Sequence, residues 1–175
     1  NALDVLREDH RRIKDLFRRF ESADDDTRAQ IGRRAIQEIQ EHARLEEELF
    51  YPEMRRAVED PNLITEAQES HHVAKLLIAE LRIMPRGKRY NAKFKTLSKA
   101  VLDHIREEEG RIFAEAENSG VDLDELGREM SNFRMGFERP FRPGSFPFAA
   151  VVALVGAGVG LYFKFRDRFT DTQTR

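Results

Sequence analysis

The sequence predicts an all-α protein: an up-down-up-down four-helix bundle, followed by a short fifth helix and a C-terminal transmembrane helix. Three observations carry that expectation. Arg, Glu, Leu, Ala and Ile, all good helix formers, dominate residues 1–120, and 35% of the chain is charged, which fits helices with one solvated face. Apolar residues recur at helical spacing, as in the stripe Leu6, Ile13, Leu16, Phe17 and Phe20. Phe146 to Phe163, FPFAAVVALVGAGVGLYF, contains no charge, and eighteen residues at about 1.5 Å each span about 27 Å, enough for a bilayer core.

The elements follow in order. The first helix is expected from about Ala2 to Glu21. Asp24, Asp25 and Asp26 then offer caps for a long second helix, about Thr27 to Val58. Asp60 and Pro61 supply an N-cap and a first-turn proline for the third, which ends near Met84 before Pro85 and Gly87. The fourth runs from about Asn91 to Glu117 and stops at Asn118-Ser119-Gly120. Connections this short make neighbouring helices antiparallel. A fifth, amphipathic helix is expected over about Leu123 to Phe137. The chain is thus divided into a bundle (1–120), an amphipathic helix with a Pro-rich linker (121–145), a transmembrane helix (146–165) and a polar tail (166–175).

Composition excludes several classes of function. The chain has no Cys, which removes disulfides, zinc thiolate sites and cysteine nucleophiles. The net charge is −2, and basic residues are interleaved with acids, so no nucleic-acid footprint is expected. The N-terminus carries no positive-then-apolar leader.

A repeat points to the chemistry. His10 and His71 each open the pattern His-x-x-x-Lys-x-apolar-apolar, with Lys14 and Lys75. His42 and His104 each open His-x-x-x-Glu, with Glu46 and Glu108. The equivalent histidines lie 61 and 62 residues apart, as in two helix hairpins related by a pseudo-two-fold axis. Positions i and i+4 share a helix face, so each His/Glu pair can aim at one point. Imidazole and carboxylate together suit iron, and a carboxylate can bridge two ions in a bundle core. Glu46 and Glu108 are the natural bridges. Glu47, Glu48, Glu107 and Glu109 read as solvated faces or as supports for the ligands.

The stretches LREDHRRIKDLFRRFE, HARLEEELFYPEM, SHHVAKLLIAEL and DHIREEEGRIF resemble the four helices of the hemerythrin-like HHE cation-binding family, over residues 2 to 118. That resemblance implies two non-haem iron ions held by His10, His42, Glu46, His71, His104 and Glu108. His72 stands as a substitute for His71, which is preferred because it aligns with His10. Oxygen-carrying hemerythrins have His-x-x-x-His on the third helix and an Asp on the fourth. Here Lys75 follows His71 and Leu76 follows His72, which argues against simple O2 carriage. Phe17, Leu49, Phe50, Ile78, Ile112 and Phe113 are expected to wall the site, an apolar lining suited to O2, NO or peroxide.

The uncharged run carries a second pattern. Ala149, Ala153, Gly156 and Gly160 form a ridge of small residues on which another helix could pack in lipid. Arg134, Arg139 and Arg142 precede the run, while Lys164, Arg166, Arg168 and Arg175 follow it. These flanks do not fix orientation, and the bundle is placed by default on the cytoplasmic side. The expected function is a membrane-anchored di-iron protein binding a small ligand for sensing, scavenging or local supply. Alternatives are an accessory or assembly subunit of a membrane complex and an iron-responsive regulator. No protein nucleophile is evident, so a binding role is expected in preference to an enzymatic one.

Overall fold

The computed structural model describes residues 1–135. Helix α1 spans Ala2–Ser22 and starts with a capping box, in which the Asn1 side chain accepts from the backbone N–H of Asp4. Helix α2, Asp25–Leu45, is capped by Asp24, whose carboxylate accepts from Thr27 N at 2.8 Å. Asp60 accepts from Asn62 N before α4, Asn62–Ile83, so Pro61 occupies the N-cap position, one residue outside the helix. Helix α5 begins at Lys88, earlier than the sequence indicated, because Gly87 at φ 137° turns the chain directly into it. Helix α7, Leu123–Met135, follows the positive-φ Gly120, and the Asp122 side chain accepts from Glu125 N.

The largest departure from expectation lies inside the second and fourth bundle helices. Each is interrupted by one π-helical segment. Glu46–Phe50 joins α2 to α3, Tyr51–Ala57, and Glu108–Ile112 joins α5, Lys88–Glu107, to α6, Phe113–Asn118. In both, an i+5 hydrogen bond closes the wide turn, from Tyr51 N–H to the Glu46 carbonyl and from Phe113 N–H to the Glu108 carbonyl. The π segments begin at the two glutamates singled out by the sequence. Such insertions add a residue to one turn and concentrate at functional sites.

Two apolar layers bracket the buried histidines. On one side lie Leu3, Leu6, Leu45, Phe50, Tyr51, Met54, Ile64 and Phe113, and α7 adds Leu126 and Met130. Gly127 lets α7 press onto the start of α1: a Cβ there would lie 2.6 Å from the Asn1 carbonyl carbon. On the other side Phe20 stacks on Phe94 with ring centroids 3.8 Å apart, and Phe17 meets Phe94 edge-on. The expected span at 146–165, with Ala149, Ala153, Gly156 and Gly160, lies outside the described residues. Among the described residues no helix is long and apolar enough to cross a membrane.

Candidate metal centre

All six residues expected as ligands are buried inside the bundle. His10 and Glu46 are fully enclosed, and His42, His71, His104 and Glu108 are nearly so. His72, by contrast, is exposed. One donor group comprises His10, His42, Glu46 and Glu108; a second comprises Glu46, His71 and His104. Glu46 belongs to both. Its Oε1 stands 3.1 Å from His42 Nε2, and its Oε2 stands 3.1 Å from His71 Nε2. Glu108 Oε2 lies 3.3 Å from His10 Nε2 and 4.0 Å from His104 Nε2, nearer the first group.

The donors fit metal ions better than they fit one another. His10 Nε2 and His42 Nε2 point at each other 3.1 Å apart, and so do His71 Nε2 and His104 Nε2. Two nitrogens at about 2.1 Å from one ion and at about a right angle would be roughly 3.0 Å apart. The carboxylate oxygens of Glu46 and Glu108 are wholly buried and receive no well-formed hydrogen bond. Buried ionisable atoms left this way are costly unless a cation takes the place of the missing partners.

The outer ring nitrogens show why the sequence carries His-x-x-x-Lys twice. His10 Nδ1 is 2.8 Å from Glu109, which is also bound by Lys14 at 3.0 Å. His71 Nδ1 is 2.9 Å from Glu47, which Lys75 grips through both oxygens at 2.6 Å. Lys75, which replaces the second histidine of the carrier motif, thus anchors the carboxylate that orients His71. At His42 the outer nitrogen faces Asp9, buried and paired with Arg12 and Arg134; the Asp9 Oδ2 lies 3.5 Å from His42 Nδ1, without a well-formed hydrogen bond. Asp9 escaped the sequence reading because the groups it meets come from other helices, His42 from α2 and Arg134 from α7.

Tyr51 is a second residue beside the site that sequence reasoning missed. Its hydroxyl lies 3.3 Å from His71 Nε2 and its ring is buried. In a regular α-helix, a residue five past Glu46 points about 140° away from it; the π turn brings Tyr51 round. The equivalent residue, Phe113, stacks on His10 with centroids 5.8 Å apart. Phe50 meets Phe113 edge-on at 6.0 Å. Ile112 is buried in the same apolar layer, on which half-buried Leu49 packs. Ile78 is buried in α4, and Phe17 rests in the aromatic layer beside Phe94.

Charge is distributed unevenly through this shell. Burial and the His42 charge push His10 down to about 4; burial and the His71 charge push His104 down to about 3. Against burial, Glu46 and Asp9 raise His42 to about 9, and Glu46 and Glu47 raise His71. In the absence of metal His42 therefore carries a proton at neutral pH, whereas His10 and His104 do not. Despite burial, the His42 and His71 charges hold Glu46 well below the ordinary carboxylate range, whereas burial and the Glu46 charge drive Glu108 well above it. Burial and the Glu108 and Glu46 charges raise Tyr51 as well.

Comparison with known proteins agrees with this geometry. The hemerythrin HHE cation binding domain family matches residues 1–116. A hemerythrin HHE cation binding domain-containing protein from Mycobacterium kansasii superposes with a TM-score of 0.68 at 26% identity, over 78% of this chain and 86% of that one. A DNA nickase from Nostoc sp. strain PCC 7120 is 28% identical over 121 residues, covering 68% of this chain. The match spans 34% of the nickase, about a third of its length.

Proposed function

The chain belongs to the hemerythrin HHE cation-binding family, and from that premise we propose that it is a non-haem di-iron protein that binds O2, NO or peroxide. The observation that carries this reading is the division of Glu46, with one oxygen toward His42 and the other toward His71. A carboxylate placed between two histidine pairs is suited to bridging two ions. When bound, a ferrous pair supplies an open coordination position and electrons for a diatomic or peroxidic ligand.

The chain's own residues do the rest. His10, His42, Glu46 and Glu108 form one half of the site, and His71 and His104 share Glu46 in the other. Glu109 and Glu47 fix the rings of His10 and His71 so that each Nε2 faces inward. Phe50 and Phe113 keep water from the apolar side of the site. Tyr51 holds a hydroxyl next to the His71/His104 half, where it can donate a hydrogen bond to a ligand. We further propose that residues 146–165 anchor the bundle in a membrane, a reading that rests on the uncharged run in the sequence.

The test is anaerobic loading of the full chain with ferrous iron in mild detergent, followed by exposure to NO and, separately, to O2. Saturable NO binding with a distinct optical spectrum supports the reading. Stoichiometric iron that responds to none of O2, NO and peroxide would overturn the ligand assignment and leave a metal-stabilised structural bundle.

A further inference from the structure

A polar cavity of about 550 Å3 lies where the chain enters α2 and α5. Fourteen residues of α5 separate Tyr90 in this cavity from His104, about 21 Å of helix rise. The start of α5 breaks a local rule. Arg86, Lys88 and Arg89 crowd a helix N-terminus that has no acid in its first turn and no side-chain cap. Cations are disfavoured at that end, where free N–H groups and the helix dipole favour anions. None of Arg33, Arg86, Lys88 and Arg89 has a carboxylate within ion-pair distance among the described residues.

Tyr90 supplies an independent observation. It is 94% buried, with a relative exposure of 6%, yet its hydroxyl has no hydrogen-bond partner among the described residues. Its ring stacks on Phe94 and its hydroxyl sits over Gly32, where a Cβ would come within 2.9 Å of it. The absence of a side chain at Gly32 leaves the hydroxyl its place at the cavity wall. Arg86 and Arg33 are near enough to act electrostatically on that hydroxyl, opposing the effect of burial. Asp25 and Asp26 also line the cavity, but Asp25 is engaged by Arg28 at 2.8 Å. Two acids and two arginines line the cavity, and Arg28, bound to Asp25, with Lys88 and Arg89 at the start of α5 make its surroundings net positive.

We propose that this cavity is a binding site for a small phosphate-bearing anion, held by Arg33, Arg86, the Tyr90 hydroxyl and the N–H groups that open α5. Such an anion would compensate the cations at the helix start and pair with the Tyr90 hydroxyl where it opens onto the cavity. The site is separate from the metal centre and does not depend on the identity of its ions.

Calorimetric titration of the iron-loaded full chain with inorganic pyrophosphate, at low ionic strength in mild detergent, tests it. One saturable event per chain is expected, with the optical spectrum of the iron unchanged. Arg86→Gln and Arg33→Gln should each weaken binding about 10-fold or more, and Tyr90→Phe several-fold, with iron content retained. Lys95→Gln, exposed and outside the cavity, should leave binding as it was. A parallel titration with adenosine triphosphate separates the sources: tighter binding than pyrophosphate indicates a nucleotide, and equal binding indicates free phosphates. No saturable binding, binding that perturbs the iron spectrum, or binding unaffected by both Arg variants would overturn the proposal.

Discussion

Tyr51 and Phe113 occupy equivalent positions, each five residues past a buried glutamate and each closing a π turn, yet only Tyr51 places a hydroxyl beside a histidine pair. The pseudo-two-fold axis is therefore broken at the site itself. Tyr51→Phe would place the same ring at both positions. The fold and iron content are expected to persist, because the ring volume is kept. Affinity for NO or azide should fall about 3- to 10-fold through loss of one hydrogen bond. Unchanged affinity for every small ligand would show that the hydroxyl faces no ligand.

Glu47 and Glu48 are adjacent but face different surroundings. Glu47 accepts from His71 Nδ1 and from Lys75, whereas Glu48 is exposed. Glu47→Gln should weaken metal affinity about 10- to 100-fold by loosening the His71 ring, and Glu48→Gln should not. Competition with a chelator measures both. Equal affinities in the two variants would mean that the His71 ring needs no support.

Metal uptake should release protons. His42, held at about 9, carries a proton at pH 7 in the metal-free shell, and His71 and Glu108 are both raised from their ordinary values. Loading is expected to displace the His42 proton, so affinity falls as pH is lowered. Calorimetry in buffers of different ionisation enthalpy reads the number directly, and a value near zero would contradict this charge distribution. The metal-free protein should itself be most stable near neutrality. His10 and His104, lowered from 6.5 to about 4 and about 3, cost stability as pH falls below 6.5; His42 contributes stability that is lost as pH rises through about 9.

Gly127 allows α7 to lie directly on the backbone of Asn1 and Ala2. Gly127→Ala should lower stability by about 1–3 kcal/mol, because backbone on both sides must shift. A thermal midpoint equal to that of the unchanged protein would show that α7 can slide without loss.

The histidines were legible because spacing alone sets which helix face they share. Repetition of His-x-x-x-Glu singled out four of the candidate ligands that the fold brings together, and alignment with His10 separated buried His71 from exposed His72. The π segments were not legible. HARLEEELF contains no Gly or Pro and HIREEEGRI only Gly110, so no break common to both marks the wide turns at Glu46 and Glu108, and the extra residue is accommodated through tertiary burial. Tyr51 was missed for the same reason, since regular α-geometry turns it away from Glu46. A signal did exist: an aromatic residue stands five past both glutamates. The roles of Glu47 and Glu109 became clear only when helices packed, because each carboxylate meets a histidine and a lysine from a different helix.

The most direct test of the shared carboxylate is the metal content of the full chain after anaerobic ferrous loading, compared with Glu46→Ala. Two irons per chain in the unchanged protein, and one or none in the variant with helicity retained, is the expected result. Two irons per chain in both proteins would contradict a site built around Glu46.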